Sequence, residues 1–147
     1  MSAPRAERVA EIAAPPAGCY AVLLGFEAYP EWQPAVSSAV VHERDEEGRG
    51  TLVEFTADAL IRRIGYTVRY HHEPPGRMWW ELVSGDVKAG DGEFRLEALD
   101  GGARTRATYR LVSDLGFHVP GPLLRRGTEL LMSGVLRGLA ERAEPAV

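Results

Sequence analysis

The chain contains a single cysteine and no long apolar run. Cys19 is that cysteine, which excludes an internal disulfide framework and a cysteine-rich metal site. A membrane-spanning helix needs about 20 predominantly apolar residues, and no segment approaches that length. Residues 1–11 also lack the apolar core of a signal peptide. We therefore expect a cytoplasmic protein that does not insert stably into a membrane.

Positive charge is scarce relative to negative charge. The chain has 17 basic and 21 acidic residues, a net charge of −4, and no basic block or tail. Because phosphate contacts require clustered positive charge, nucleic acid is not expected as a partner. The oligomeric state stays open between a monomer and a homodimer.

The motifs of several enzyme classes are missing. The chain has no Gly-x-Ser-x-Gly elbow, no dinucleotide-binding glycine fingerprint, no phosphate-binding glycine loop and no Cys-x-x-Cys pair. His71 and His72 are neighbours on a predicted strand, so their side chains point to opposite faces and do not readily share a metal ion. We expect neither a cofactor nor a metal ion.

The order of patterns along the chain predicts an α+β domain. A length of 147 residues with 45% hydrophobic content fits one domain over residues 1–147, with its core at about 8–142. Two-residue alternation predicts a curved antiparallel sheet of about seven strands around a long last helix. Two short helices are expected after the first strand. The predicted strands are 8–13, 36–44, 50–59, 63–72, 77–83, 87–99 and 103–114, and the predicted helices are 17–24, 28–32 and 120–143.

Three glycines lie at the centre of the predicted apolar face of the last helix. Gly127, Gly134 and Gly138 fall within a narrow arc, which Leu123 and Leu130 flank. Each glycine costs about 1 kcal/mol of helix stability relative to alanine, so the arc is expected to serve a purpose. Two interpretations remain open. The helix approaches the sheet very closely, or it roofs a cavity and leaves room for a ligand.

Motifs from about residue 8 to residue 142 resemble those of a known family. They are residues 11–17, Tyr20, the run Tyr29-Pro30-Glu31-Trp32, the step Gly92-Glu93-Phe94, the hairpin Asp100-Gly101-Gly102 and the glycine-bearing last helix. They are similar to the START-like (SRPBCC) superfamily with the helix-grip fold, and most of all to its polyketide cyclase/dehydrase and coenzyme-Q-binding branch. The resemblance implies a deep pocket between the curved sheet and the last helix, for an apolar or aromatic small molecule.

Alternation along the strands predicts which side chains face such a pocket. Tyr66 and Tyr70 are four residues apart on one strand and project to the same face. The predicted ligand contacts are Phe55, Tyr66, Val68, Tyr70, Trp80, Leu82, Phe94, Thr105, Tyr109, Leu130 and Gly134.

Candidates for proton transfer are few. Tyr66 and Tyr70 are the first two, and His118 is the third because it precedes Pro120 at the expected mouth of the pocket. Asp58 stands at a strand end, where a solvated carboxylate is expected.

Two functions remain open. The first is a non-catalytic module that binds a lipid, a quinone or a polyketide-like aromatic compound. The second is a polyketide aromatase/cyclase or dehydratase, in which the pocket tyrosines position the substrate and assist proton transfer. Some proteins of this superfamily act through macromolecular partners such as the ribosome, and the net charge of −4 speaks against that function here.

Overall fold

The computed structural model describes residues 5–145. Its strands and helices follow the predicted order, and their bounds differ from the predicted ones by a few residues. They are β1 (Arg5–Ile12), α1 (Pro16–Leu24), α2 (Tyr29–Trp32), β2 (Val36–Arg44), β3 (Gly50–Ala59), β4 (Arg62–Glu73), β5 (Arg77–Gly85), β6 (Ala89–Leu99), β7 (Arg104–Asp114) and α3 (Gly121–Ala143). Short 3-10 turns at Phe26–Ala28 and Asp100–Gly102 precede α2 and β7.

The strands form one antiparallel sheet in the order β1-β7-β6-β5-β4-β3-β2. Strands β2 to β7 pair in the order in which they follow one another along the chain. Strand β1 pairs with β7, so β1 and β2 are the two edge strands. The sheet curves around α3, while α1 and α2 connect β1 to β2. The predicted α+β helix-grip fold is therefore confirmed. None of the helices within residues 5–145 is both long enough and apolar enough to cross a bilayer.

The buried face of α3 differs from the predicted one. Met132, Leu136 and Leu139 are almost inaccessible to solvent, whereas Leu123 and Leu130 are 43% and 60% exposed. The buried side chains lie roughly a third of a turn away from the glycine arc. The prediction that the glycines occupy the centre of the apolar face is wrong, because the core meets the helix from a different side and leaves the glycines at its border.

Close packing explains one glycine of the arc. A Cβ atom on Gly138 would lie 2.6 Å from the carbonyl oxygen of Trp32 and 2.9 Å from its indole ring. Trp32 is itself buried, and Tyr29 packs edge-on against it with 5.1 Å between the ring centroids. At Gly138 the close neighbour of α3 is thus α2 and not the sheet. This contact fixes the segment around α2 that borders the cavity described below.

Strands β5 and β6 pair over only part of their length. Their pairing ends at Trp80 and Gly92, after which the backbone N–H of Leu82 donates to the carboxylate of Asp91 at 2.9 Å. The indole of Trp80 lies across Gly92, where a Cβ atom would overlap it. A glycine within a strand often allows such a close approach. Here it lets Trp80 lie against the inner face of the sheet.

Candidate functional site

A cavity lies between the concave face of the sheet and the first half of α3. Its volume is about 490 Å³, within the range of roughly 300–1,000 Å³ that is typical of small-molecule sites. Strands β3 to β7 supply its walls, the segment around α2 closes one side, and α3 forms its roof. Most of the lining is aliphatic or aromatic, so the cavity favours an apolar ligand.

Aromatic side chains form a continuous wall of this cavity. The ring centroids of Phe55 and Tyr70 are 6.4 Å apart, and those of Tyr70 and Trp80 are 5.4 Å apart. Phe94 follows at 5.7 Å from Trp80 and stacks on Tyr109 at 4.4 Å. Aromatic pairs at such distances are attractive and well packed. The rings of the wall therefore pack against one another without a ligand.

The roof of the cavity shows what the glycine arc does. A Cβ atom on Gly134 would have no neighbour within 4 Å, so this glycine borders open space. Gly127 instead receives the side chain of Leu60, a methyl group of which would overlap its missing Cβ atom. Leu60 lies in the turn between β3 and β4 with a φ angle of 64°, which is unfavourable for leucine. The cavity interpretation thus fits Gly134, whereas Gly127 and Gly138 are closely packed against the β3–β4 turn and α2 and not against the strands of the sheet.

Three tyrosine hydroxyl groups in this cavity have no hydrogen bond to another described residue. They belong to Tyr66, Tyr70 and Tyr109, whereas Tyr29 donates its hydroxyl to the carbonyl oxygen of Leu23 at 2.7 Å. Burial raises the pKa of Tyr66 to about 12 and also raises the pKa values of Tyr70 and Tyr109. The hydroxyls therefore stay protonated at neutral pH. They are suited to donate hydrogen bonds to a ligand, and poorly suited to act as bases.

Most of the predicted ligand contacts line the cavity, and three predicted site residues do not. The hydroxyl of Thr105 donates to the carbonyl oxygen of Ala14 at 2.7 Å, because this end of β7 lies beside β1 and not beneath the roof. Leu82 lies beyond the point where β5 and β6 separate. His118 is exposed to solvent in the connection to α3. The predicted residues that do line the cavity are Phe55, Tyr66, Val68, Tyr70, Trp80, Phe94, Tyr109, Leu130 and Gly134.

The cavity also contains residues that alternation did not point to. Tyr29 and Gln33 line it from the segment around α2, which is helical and so carries no two-residue pattern. The motif at residues 29–32 marked this segment but not the side chains that face inward. Asp58 reaches the rim of the cavity, where it is solvent-exposed and pairs with Arg63 at 3.2 Å.

The two adjacent histidines point to opposite faces of the sheet, as predicted. His71 stacks on Trp79 on the outer face, with 5.1 Å between the centroids. The Nε2 atom of His72 donates to the carbonyl oxygen of Gly50 at 2.7 Å, and its Nδ1 atom lies 2.8 Å from the hydroxyl of Tyr20. Within residues 5–145, no group of three or more His, Cys, Asp or Glu side chains is placed to hold a metal ion.

We expect acidification below about pH 6.5 to weaken the fold through His72. Burial lowers the pKa of His72 in the folded protein, so the unfolded chain binds more protons in this range. The stabilising contribution is complete above the unfolded pKa and is lost as the pH falls through the folded one. Thermal unfolding from about pH 8 to pH 5 measures this loss, which should be smaller in His72→Phe. A melting temperature that rises on acidification would contradict the assignment.

The family of the chain follows from its sequence. Residues 3–144 match the model of the family described as polyketide cyclase/dehydrase and lipid transport. A search of curated proteins finds no match. Among solved structures, the fold is similar to that of a START superfamily protein from Mycobacterium smegmatis. The two chains share 18% identity over 95% of this chain and 96% of that chain, with a TM-score of 0.82.

Two further solved structures are similar. The first is the Zhui aromatase/cyclase from Streptomyces sp. R1128, with 19% identity, coverage of 95% of this chain and 93% of that chain, and a TM-score of 0.78. The second is a STAR-related lipid transfer protein fragment from Xanthomonas axonopodis, with 16% identity, coverage of 95% and 85%, and a TM-score of 0.73. Such identities show a shared fold alone. Because the family model covers nearly the whole chain, the protein belongs to the polyketide cyclase/dehydrase and lipid transport family and has the START-type helix-grip fold.

Proposed function

We propose that this protein binds an apolar or aromatic small molecule in the cavity beneath α3 without changing it chemically. The observation that carries the proposal is the open, mainly apolar space of about 490 Å³ below Gly134. Each glycine lowers the stability of a helix, and no protein atom occupies the space beside Gly134 that the missing side chain leaves. Burial of apolar ligand surface in this space supplies the driving force for binding.

The polar groups of the cavity support binding more than catalysis. Tyr66, Tyr70 and Tyr109 hold their protons at neutral pH because burial raises their pKa values. The carboxylate at the cavity rim, that of Asp58, is solvent-exposed and paired with Arg63. An efficient general base needs a pKa near the working pH and a position within hydrogen-bond reach of the substrate. These groups are better suited to orient a bound molecule.

Native mass spectrometry of protein purified from its own host tests the proposal. We expect an intact copurifying small molecule, which denaturation releases for identification. If the protein emerges free of ligand, titration with lipid, quinone and hydroxylated aromatic compounds follows. Failure of all three classes to bind would contradict the proposed function.

We expect Tyr66→Phe and Tyr70→Phe each to weaken the binding of an oxygen-bearing ligand about fivefold to tenfold. Each change removes one hydrogen bond to the ligand, a loss of about 1 kcal/mol, while the ring and its packing stay. Calorimetric titration measures the affinities.

The matched control for the tyrosine variants is Tyr20→Phe. The hydroxyl of Tyr20 lies outside the cavity, near His72 and the carbonyl oxygen of Arg77. This variant should lose some stability and keep the ligand affinity. Unchanged affinity in both cavity variants would show that these hydroxyls do not contact the ligand.

An aromatase/cyclase or dehydratase is the second candidate function. The unpartnered hydroxyls of Tyr66 and Tyr70 favour it, because a donor aimed at a ketone oxygen stabilises the negative charge that develops there during aldol closure. The similar fold of an aromatase/cyclase supports the same candidate. A single-turnover assay with a poly-ketone substrate tests it. Conversion should disappear in the double variant Tyr66→Phe/Tyr70→Phe, and an unchanged rate would remove both residues from the mechanism.

A further inference from the structure

Gln33 is the only side-chain amide of the protein. The chain contains no asparagine and no other glutamine. Gln33 follows α2 directly, is 8% exposed, and lines the cavity. A buried polar side chain in an otherwise apolar wall is unfavourable unless it finds a hydrogen-bond partner. The hydrogen-bond partners of this amide therefore need to be identified.

The backbone of Gln33 is anchored, and its side chain has no such partner. Its N–H donates to the carbonyl oxygen of Tyr29 at 2.7 Å, and its carbonyl oxygen accepts from the N–H of Val36 at 3.0 Å. These bonds fix the residue at the border of the cavity. The side-chain amide makes no hydrogen bond to another residue within 5–145, and it is not sealed away from the cavity space. Its donors and its acceptor therefore remain available to a ligand.

The amide complements the tyrosine hydroxyls chemically. Tyr66, Tyr70 and Tyr109 are protonated and offer hydrogen-bond donors to a ligand carbonyl. The side-chain oxygen of Gln33 accepts only, and it carries no charge that would demand a counterion. A hydrocarbon chain would leave this oxygen unpaired, and so would a quinone, which offers acceptors alone. A ligand with an O–H donor satisfies it.

We propose that Gln33 selects ligands that carry a phenol or enol hydroxyl, by accepting that hydroxyl on its side-chain oxygen. The inference rests on the proposed function, because it assigns a ligand class to the same cavity. It makes Gln33 a determinant of specificity: a site built to pair a hydroxyl rejects an analogue that lacks it, since the side-chain oxygen of Gln33 is then covered by the ligand and left unpaired.

Three naphthalene probes of similar size test the inference. 1-Naphthol has a hydroxyl donor, 1-methoxynaphthalene has an oxygen without a donor, and 1,4-naphthoquinone has two acceptors. We expect the wild-type protein to bind 1-naphthol at least about tenfold more tightly than 1-methoxynaphthalene. In Gln33→Met, which keeps the length of the side chain and removes the amide, the affinity for 1-naphthol should fall about tenfold. The affinity for 1-methoxynaphthalene should stay the same or rise.

A second readout separates selection from a merely structural role. Ligand-free Gln33→Met should melt close to the temperature of the wild type, because the amide makes no hydrogen bond within residues 5–145 and is not sealed away from the cavity space. Thr105→Val is the matched control, since it removes a buried hydroxyl that already has its partner in the Ala14 carbonyl oxygen. This control should melt at a lower temperature and keep the wild-type preference for 1-naphthol. Gln33→Leu replaces the methionine variant if that one aggregates.

The outcomes distinguish this inference from the function on which it rests. If the probes bind and Gln33→Met keeps the wild-type preference for 1-naphthol, the inference is overturned while the binding function stands. If the wild-type protein prefers 1,4-naphthoquinone to 1-naphthol, the ligand class is wrong. If none of the probes binds to the wild-type protein, the inference is overturned, whereas the binding function fails only if the lipid titration described above is negative as well.

Discussion

Gly138→Ala is expected to destabilise the protein by about 2–3 kcal/mol, although alanine is the better helix former by about 1 kcal/mol. The new Cβ atom would lie 2.6 Å from the carbonyl oxygen of Trp32 and 2.9 Å from its indole ring. Neither is the free end of a flexible side chain, so α2 and α3 must move apart. Overpacking of this kind disturbs neighbours that are themselves tightly packed. Urea-induced unfolding measures the change.

Gly134→Ala on the same helix is the matched control for this prediction. Its Cβ atom would find no neighbour within 4 Å, so the helix gains about 1 kcal/mol of intrinsic stability without a clash. The two identical substitutions, separated by about one turn, are thus expected to have opposite signs. Equal stability of Gly138→Ala and the wild type would contradict the close contact between Gly138 and the carbonyl oxygen of Trp32.

Gly134→Trp is expected to weaken ligand binding about 100-fold, a loss of roughly 3 kcal/mol. The indole would enter the empty space of the cavity and occupy the place that the proposal gives to the ligand. Because a Cβ atom at this position meets no neighbour within 4 Å and the cavity beneath it has a volume of about 490 Å³, we expect the fold to remain intact and the melting temperature to change little. Calorimetric titration with a ligand that binds to the wild-type protein measures the effect.

Ser133→Trp provides the control for the cavity-filling variant. It places the same side chain one residue earlier on α3, at a position that does not line the cavity. We expect it to bind the ligand with wild-type affinity. If Gly134→Trp also binds normally, the ligand occupies another part of the molecule and the proposed site is wrong.

The strands and the last helix were largely predictable because their signals are local. Two-residue alternation between turn residues gave the bounds of β2 and β3 correctly, at Val36–Arg44 and Gly50–Ala59. The proline and glycine residues before Leu123 likewise marked the start of α3. The orientation of α3 was not predictable to the same degree. Which side of an amphipathic helix is buried depends on the elements packed against it. Here Trp32 and Leu60, and not the core of the sheet, contact the side of α3 that carries the glycines.

The predicted site illustrates the same limit. Alternation correctly placed Phe55, Tyr70 and Phe94 on the inner face of the sheet, and these residues line the cavity. Alternation does not show how far along a strand the cavity extends. Thr105 was therefore predicted as a ligand contact, although it lies at the end of β7 beside β1, outside the cavity. Gln33 was missed because it stands after a short helix, where inward orientation is set by tertiary contacts.

The distribution of the three tryptophans makes the protein its own optical reporter. Trp80 lines the cavity, Trp32 of α2 packs against Gly138 of α3, and Trp79 lies on the outer face beneath the guanidinium of Arg77, 4.0 Å away. Among these indoles, Trp80 alone lines the cavity, so we expect the proposed ligand to change the surroundings of this indole only. Ligand-dependent changes in intrinsic emission should then originate at Trp80, while the other two indoles supply a constant background.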